Sequence, residues 1–279
     1  MSFIAFTNVH YSYPAVEGDI DENGNQIQPP VIFDHFNAEL PGGFTSLVGP
    51  NGSGKSTFML LAGGRILPLE GKVYLCGNDT AALTPEQRDL LASYIYQNME
   101  LETEEKVGDL LNYVYTNGVL KGKAKAIRNK DQDLLEEIKT VFELEKLTDK
   151  KLSNTSKGEH QRVLLAFSLL YGSESTFMDE PMFAMEEGQK QKALEYLKDF
   201  CAATETTIYI SMHELDYTKK YAQNVMLFYP NHDIDFGTPE EVLTDEALEK
   251  AYGLPVAMLK HSESLTRSQL TEESDVLHS

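Results

Sequence analysis

Two cysteines, Cys76 and Cys201, are all that the 279 residues contain, and they match neither a metal-ligand spacing nor a CxxC motif. A disulfide framework is therefore not expected. Basic residues are scarce as well: 24 Lys and Arg stand against 44 Asp and Glu, a net charge of −20. That balance argues against a chain that grips nucleic acid or an anionic lipid surface through its overall field; such contact would need a local basic patch. Long apolar runs are missing too. The longest candidate, Val163 to Leu170, falls far short of the roughly 18 to 20 residues that cross a bilayer, so no membrane span is expected. The first residues, Met1 to Asn8, lack the positive segment and longer apolar stretch of a secretory signal. These absences together point to a reduced, cytosolic setting.

What is present suffices for a substantial core. Apolar residues make up 41% of the chain and aromatics 10%, which suits one large domain or two small ones. Short β-rich runs recur at Phe3–Thr7, Val31–Leu40, Phe44–Val48, Lys72–Cys76, Ser93–Tyr96, Thr176–Met178, Thr206–Ser211 and Asn224–Phe228, separated by segments of helical spacing. The pattern is α/β with an antiparallel β portion at the front. Leu134, Leu135, Ile138, Val141 and Phe142 predict a helix with one buried stripe between Asp133 and Leu147, and Ala193, Leu194, Leu197 and Cys201 predict another. Val107 to Leu152 carries no strand signal and reads as a helical insert, giving two lobes. The acidic, Gly/Pro-containing stretch from Glu17 to Pro30 reads as an exposed loop, and residues 261–279 as a disordered polar tail. Lys121, Lys123, Lys125, Arg128 and Lys130 form a basic cluster that reads as a solvated loop.

The chemistry begins at Gly49-Pro50-Asn51-Gly52-Ser53-Gly54-Lys55-Ser56-Thr57, between the apolar run Phe44–Val48 and the helical run Phe58 to Ala62. This is a complete GxxxxGK[ST] phosphate loop in strand-loop-helix context. Glycines allow the backbone N–H groups to turn inward around phosphate oxygens, and a helix N-terminus adds partial positive charge. Lys55 is then placed to reach the β- and γ-phosphates and Ser56 to ligate Mg²⁺. Downstream, Ser175 to Pro181 reads as a buried strand ending in two carboxylates. Asp179 is the candidate Mg²⁺ ligand, through water, and Glu180 the candidate general base for the attacking water.

With these motifs in order, the chain resembles the ATP-binding cassette ATPases, the motor subunits of ABC transporters, over nearly its whole length. Tyr13 sits where that family places an aromatic that stacks on adenine. Gln97, in Tyr94-Ile95-Tyr96-Gln97, matches the glutamine that contacts Mg²⁺ and water and links to a membrane partner. Thr155-Ser156-Lys157-Gly158-Glu159-His160-Gln161-Arg162-Val163 occupies the place of the LSGGQ signature and its trailing QRV. Phe183 to Glu186 takes the place of the D-loop, and His213 ends a strand as the switch histidine does. The resemblance implies a phosphate-loop NTPase of the ABC-cassette fold: a RecA-like core, an antiparallel β portion and a helical subdomain at about 98–172, within a single domain over 1–260.

It also implies ATP and Mg²⁺ as cofactors and a head-to-tail pair of cassettes. ATP on the phosphate loop of one copy would be completed by Ser156, Lys157, Gly158 and Glu159 of the other. A homodimer is the simpler expectation and a heterodimer the alternative. The remaining implied partner is an integral-membrane permease that holds the cassette at the inner face of the membrane. The stretch Phe236 to Val256 and the helical-lobe text look like metal-chelate and cobalamin importers. Two other readings stand beside this one: a soluble cassette that switches a protein partner, and a low-turnover regulatory cassette. The chain departs from the pattern at Thr155 for the usual Leu, Lys157 for the first Gly, Glu159 for the final Gln and Glu186 for the D-loop Asp. The Glu159 variant is an ordinary one in related importers.

Overall fold

Phe44–Val48 is buried at every position, as befits a strand covered on both faces of a sheet. A computed structural model of the protein describes residues 3–18, 20, 26–255 and 258–259. The strands are β1 (Ile4–Ser12), β2 (Val31–Leu40), β3 (Phe44–Val48), β4 (Glu70–Leu75), β5 (Asn78–Asp79), β6 (Ala92–Ile95), β7 (Ser175–Asp179), β8 (Thr207–Ser211), β9 (Asn224–Phe228) and β10 (Ile234–Gly237). The helices are α1 (Lys55–Ala62), α2 (Pro85–Leu91), α3 (Val107–Asn117), α4 (Leu134–Val141), α5 (Lys157–Tyr171), α6 (Glu187–Thr204), α7 (Leu215–Tyr221), α8 (Pro239–Val242) and α9 (Asp245–Tyr252).

One sheet runs β10-β9-β3-β8-β7-β6, parallel except for β10, and the other runs β2-β1-β4-β5, antiparallel throughout. This is an α/β fold with an antiparallel portion, as the sequence pattern implies. The strand order decides where chemistry can occur. Because β3, β8, β7 and β6 are parallel neighbours, the loops after their carboxyl ends lie side by side along one edge, where such sheets bind ligands.

Helix α1 lies between the sheets and is buried almost all round. Phe58 has no exposed surface and packs its ring 5.0 Å from Phe6 of the antiparallel sheet and 5.8 Å from Phe228 of the parallel one. Burying one such side chain contributes about 2–3 kcal/mol, so truncating Phe58 would loosen both sheets from the phosphate loop's helix. A second core joins α3, α4, α5 and α6 through Leu111, Ile138, Val163 and Leu194.

Local details depart from the pattern reading. β1 does not stop at Thr7: Asn8 takes a left-handed φ of 50°, the register slips, and the strand resumes to Ser12. β4 ends one residue before Cys76, whose φ is 49°. β5 and β10 are too short or too polar to show a clear alternation. The helix expected to reach Leu147 stops at Val141, and a single 3-10 turn follows at Glu145–Leu147. Its end is fixed by Arg162, which donates to the carbonyls of Phe142 at 2.7 Å and Glu143 at 3.0 Å. Among the described residues no helix is long and apolar enough to cross a membrane. The expected polar tail at 261–279 and residues 19 and 21–25 of the acidic loop lie outside the described residues.

Candidate nucleotide site

The phosphate loop follows β3 and turns directly into α1. Gly49, Gly52 and Gly54 all have positive φ, at 144°, 78° and 102°. Gly49 shows why no other residue serves: an added Cβ would lie 2.5 Å from the Phe228 carbonyl oxygen. Lys55 is buried and its ammonium donates to the carbonyls of Gly49 at 2.7 Å and Pro50 at 3.0 Å. Burial lowers its proton affinity, while Glu180 and Asp179 pull the other way. The Ser53 hydroxyl is buried with no protein partner among the described residues, the sort of orphan a bound oxygen would satisfy. His232, in the β9–β10 turn, steadies the loop by hydrogen bonding to the Ser53 carbonyl at 3.1 Å. Tyr13 sits beside the same helix: its hydroxyl is 3.0 Å from Thr57 Oγ1, and its ring is half-exposed. Tyr11, two residues earlier, is buried.

The loops after β7, β8 and β6 bring Asp179, Glu180, His213 and Gln97 together. Asp179 pairs in register with Ser211, whose hydroxyl donates to Asp179 Oδ1 at 2.7 Å and accepts the Glu180 amide at 2.8 Å. Glu180 has a left-handed φ of 48°. His213 Nε2 donates to Glu180 Oε1 at 2.7 Å and Gln97 Nε2 donates to Oε2 at 3.0 Å, so each carboxylate oxygen has its own donor. The hydrogen bond from His213 holds the Glu180 carboxyl below its ordinary range, and the same bond raises the His213 imidazole. The bond thus favours the charged form of each group. Glu214, next in sequence, is tied to Lys190 at 2.6 Å, which anchors the His213 turn to α6. Ser211, His232 and Lys190 were not singled out from the sequence. The register opposite Asp179 is the signal for Ser211, but it exists only once the strands are paired.

The signature turn lies elsewhere on the molecule. Ser156 caps α5 by accepting the Glu159 amide, while the Glu159 carboxylate accepts the Ser156 amide at 2.7 Å and Lys150 Nζ at 2.7 Å. Lys157 Nζ lies 5.8 Å from the Phe183 ring. Gly158 packs so tightly that a Cβ would meet the Ala184 carbonyl at 2.5 Å, and Gln161 accepts the Ala184 amide at 2.8 Å. Ser156, Lys157, Gly158 and Glu159 thus contact residues 150 and 183–185 rather than the phosphate loop. Glu186 is the N-cap residue of α6 and makes no side-chain capping bond.

The family model described as ABC transporter matches residues 35–183. The chain is 27% identical over 227 residues to the petrobactin import ATP-binding protein FatE of Bacillus anthracis, covering 80% of this chain and 88% of that protein. It is 25% identical over 228 residues to the cobalamin import ATP-binding protein BtuD of Halobacterium salinarum, covering 81% of this chain but only 56% of the longer relative. Among solved structures, a dimeric post-hydrolysis state of an ATP-binding cassette bound to ADP and Pi superposes with a TM-score of 0.68 at 20% identity, covering 85% of this chain and 98% of that one. That last likeness speaks to the fold.

Proposed function

The chain belongs to the ABC transporter family and is an ATP-binding, ATP-hydrolysing subunit of it, and from that premise we propose that it powers an importer through a separate membrane permease. The observation that carries the catalytic part is the meeting of Lys55, Asp179, Glu180, Gln97 and His213 at the ends of adjacent strands, with Glu180 gripped by both His213 and Gln97. The glycine-built loop and the orphaned Ser53 hydroxyl fit a polyphosphate. Gly49 to Thr57 hold it, and Tyr13 takes the adenine on its free face. Lys55 turns its ammonium from the loop carbonyls toward the phosphate oxygens.

Ser56, Asp179 and Gln97 suit a hard cation, offering a hydroxyl, a carboxylate and an amide. These residues would hold Mg²⁺, which would supply charge neutralisation to the bound polyphosphate. Glu180, kept ionised by His213, accepts a proton from the attacking water. His213 then holds its own charge near the developing negative charge, an electrostatic contribution that costs no reorganisation.

Because Ser156 to Glu159 contact residues 150 and 183–185 rather than the phosphate loop of their own copy, they complete the site of a second copy, and a homodimer satisfies this with one gene product. Import is supported by the names of the relatives. Those names carry different cargoes, so the cargo is chosen by other subunits. Affinity purification of the Glu180→Gln variant from detergent-solubilised membranes is expected to recover a polytopic membrane protein; recovery of soluble partners alone would overturn the transporter assignment.

A further inference from the structure

One imidazole bridges the groove of 570 Å³ between the loop after Gln97 and helix α5. The amide of Leu101 donates to His160 Nε2 at 3.2 Å, and His160 Nδ1 lies 3.3 Å from Thr155 Oγ1. The Thr155 hydroxyl donates to the Leu152 carbonyl at 2.7 Å. These bonds fix every proton. Thr155 gives its hydrogen to Leu152, so its oxygen accepts from Nδ1–H, and Nε2 stays bare to accept from Leu101. The neutral Nδ1–H tautomer satisfies the whole chain of bonds. A second proton on Nε2 would set two N–H groups against each other.

We propose that His160 and Thr155 form a positioning strut that locks the Gln97 loop to the signature turn, so that the grip of Gln97 on Glu180 and the seating of Ser156 move as one unit. The inference rests on the catalytic roles given above to Gln97 and Glu180. His160 acts through Leu101 and touches no reacting atom, so it is a positioning residue. Both ends of the strut are functionally placed: Leu101 lies four residues beyond Gln97, and Thr155 immediately precedes Ser156. Thr155 also replaces the usual signature Leu, whose side chain has no hydrogen-bonding atom. The departure that looks like a defect in the motif thus supplies the acceptor that orients the ring.

The strut is sensitive to acid by construction. Burial pushes the His160 imidazole below its ordinary value of 6.5, against a smaller pull from the Glu100 carboxylate. The other charged groups lining the groove are Glu102 and Glu104 from the same loop, Lys157 from α5 and Glu180 from the end of β7. At neutral pH the ring is uncharged and the strut is closed; protonation on acidification opens it.

The test uses the full chain and three variants, His160→Ala, His160→Gln and Thr155→Val. His160→Ala is expected to lower kcat about tenfold with ATP affinity changed less than about twofold, because the phosphate loop is untouched. Thr155→Val is expected to lower kcat in the same way, and the double variant to be no worse than His160→Ala alone. His160→Gln keeps an acceptor and a donor without a titrating proton, so it is expected to retain more of kcat than alanine and to lose the fall in kcat on acidification below pH 6.5. Amide hydrogen exchange at Leu101 is expected to accelerate in both His160→Ala and Thr155→Val. Unchanged Leu101 exchange, an unchanged kcat in the variants, or the same acid limb in His160→Gln would overturn the strut. A parent chain without turnover would instead overturn the catalytic assignment, and Leu101 exchange would still decide the strut.

Discussion

His213 and Glu180 are joined by a hydrogen bond of 2.7 Å, and each moves the other's proton affinity in the direction that keeps both charged. Gln97 binds the opposite carboxylate oxygen. The carboxylate is therefore oriented, and its ionised form favoured, by two donors on two different strand ends. Replacing Glu180 by Gln keeps the shape and removes the proposed general base. Turnover is expected to fall by about 100-fold or more while ATP still binds, as phosphate release and nucleotide titration on the same sample would reveal.

The pair also sets a pH window for stability. His213 is raised above 6.5, so its contribution is complete below that value and is lost as pH rises through the raised one. Glu180 is lowered below 4.5, so its contribution is complete above that value and is lost as pH falls through the lowered one. Both are present together between 4.5 and 6.5. His213 is 43% exposed, which limits the gain to about 0.5 kcal/mol. In buffer free of nucleotide and metal, His213→Ala should melt below the parent near pH 6, and the gap should close at pH 9.

Tyr13 offers a ring face at the edge of the phosphate loop, with its hydroxyl tied to Thr57. Tyr13→Ala is expected to weaken ATP binding about tenfold by removing the stacking surface. Tyr13→Phe should stay within about twofold, and neither variant should alter the affinity for inorganic triphosphate. Isothermal titration of both ligands separates stacking from phosphate binding.

Lys157 places a cation at the first turn of α5, beside Phe183. In the head-to-tail pair proposed above, that position faces the nucleotide of the other copy. Lys157→Ala is expected to weaken ATP-driven dimerisation about threefold to tenfold at low salt, with the difference vanishing near about 1 M salt. Size-exclusion chromatography of the Glu180→Gln background with and without this change measures it.

Glu137 is buried at 5% exposure in the helical lobe. Its carboxylate accepts the amides of Ile127, Arg128 and Asn129 and the hydroxyl of Tyr196. Glu137→Ala strands those donors, and chemical denaturation should register a loss of about 3 kcal/mol or more.

Local motifs were readable because their residue types are dictated by backbone geometry. Gly49, Gly52 and Gly54 announce positive φ, and the buried run ending at Asp179 announces a strand whose end opens on the site. The same reasoning stops where contacts span the chain. Nothing in the text near Glu137 says that it will collect the amides of a loop eight to ten residues upstream and a tyrosine 59 residues downstream. His160 stood in plain view in the signature run, yet its partner Leu101 is 59 residues away. The truncated helix at Val141 has the same origin: the apolar stripe continues, but the chain turns left-handed at Glu143 and Arg162, from another helix, binds the carbonyls of Phe142 and Glu143 just past the helix end. At Asn8 a register slip breaks the period-two pattern of β1 without ending the strand.

The φ of 48° at Glu180 carries a consequence for how this chain tolerates change. A left-handed conformation in a residue with a Cβ costs of order 1 kcal/mol, and Gly or Asn would relieve it at the same position. Those substitutions also remove the carboxylate that His213 and Gln97 hold, so relief of the backbone is offset by the loss of two hydrogen bonds. Strain is thus carried at the position where the proposed chemistry needs a fixed group, and the neighbours that grip the carboxylate are what hold it there.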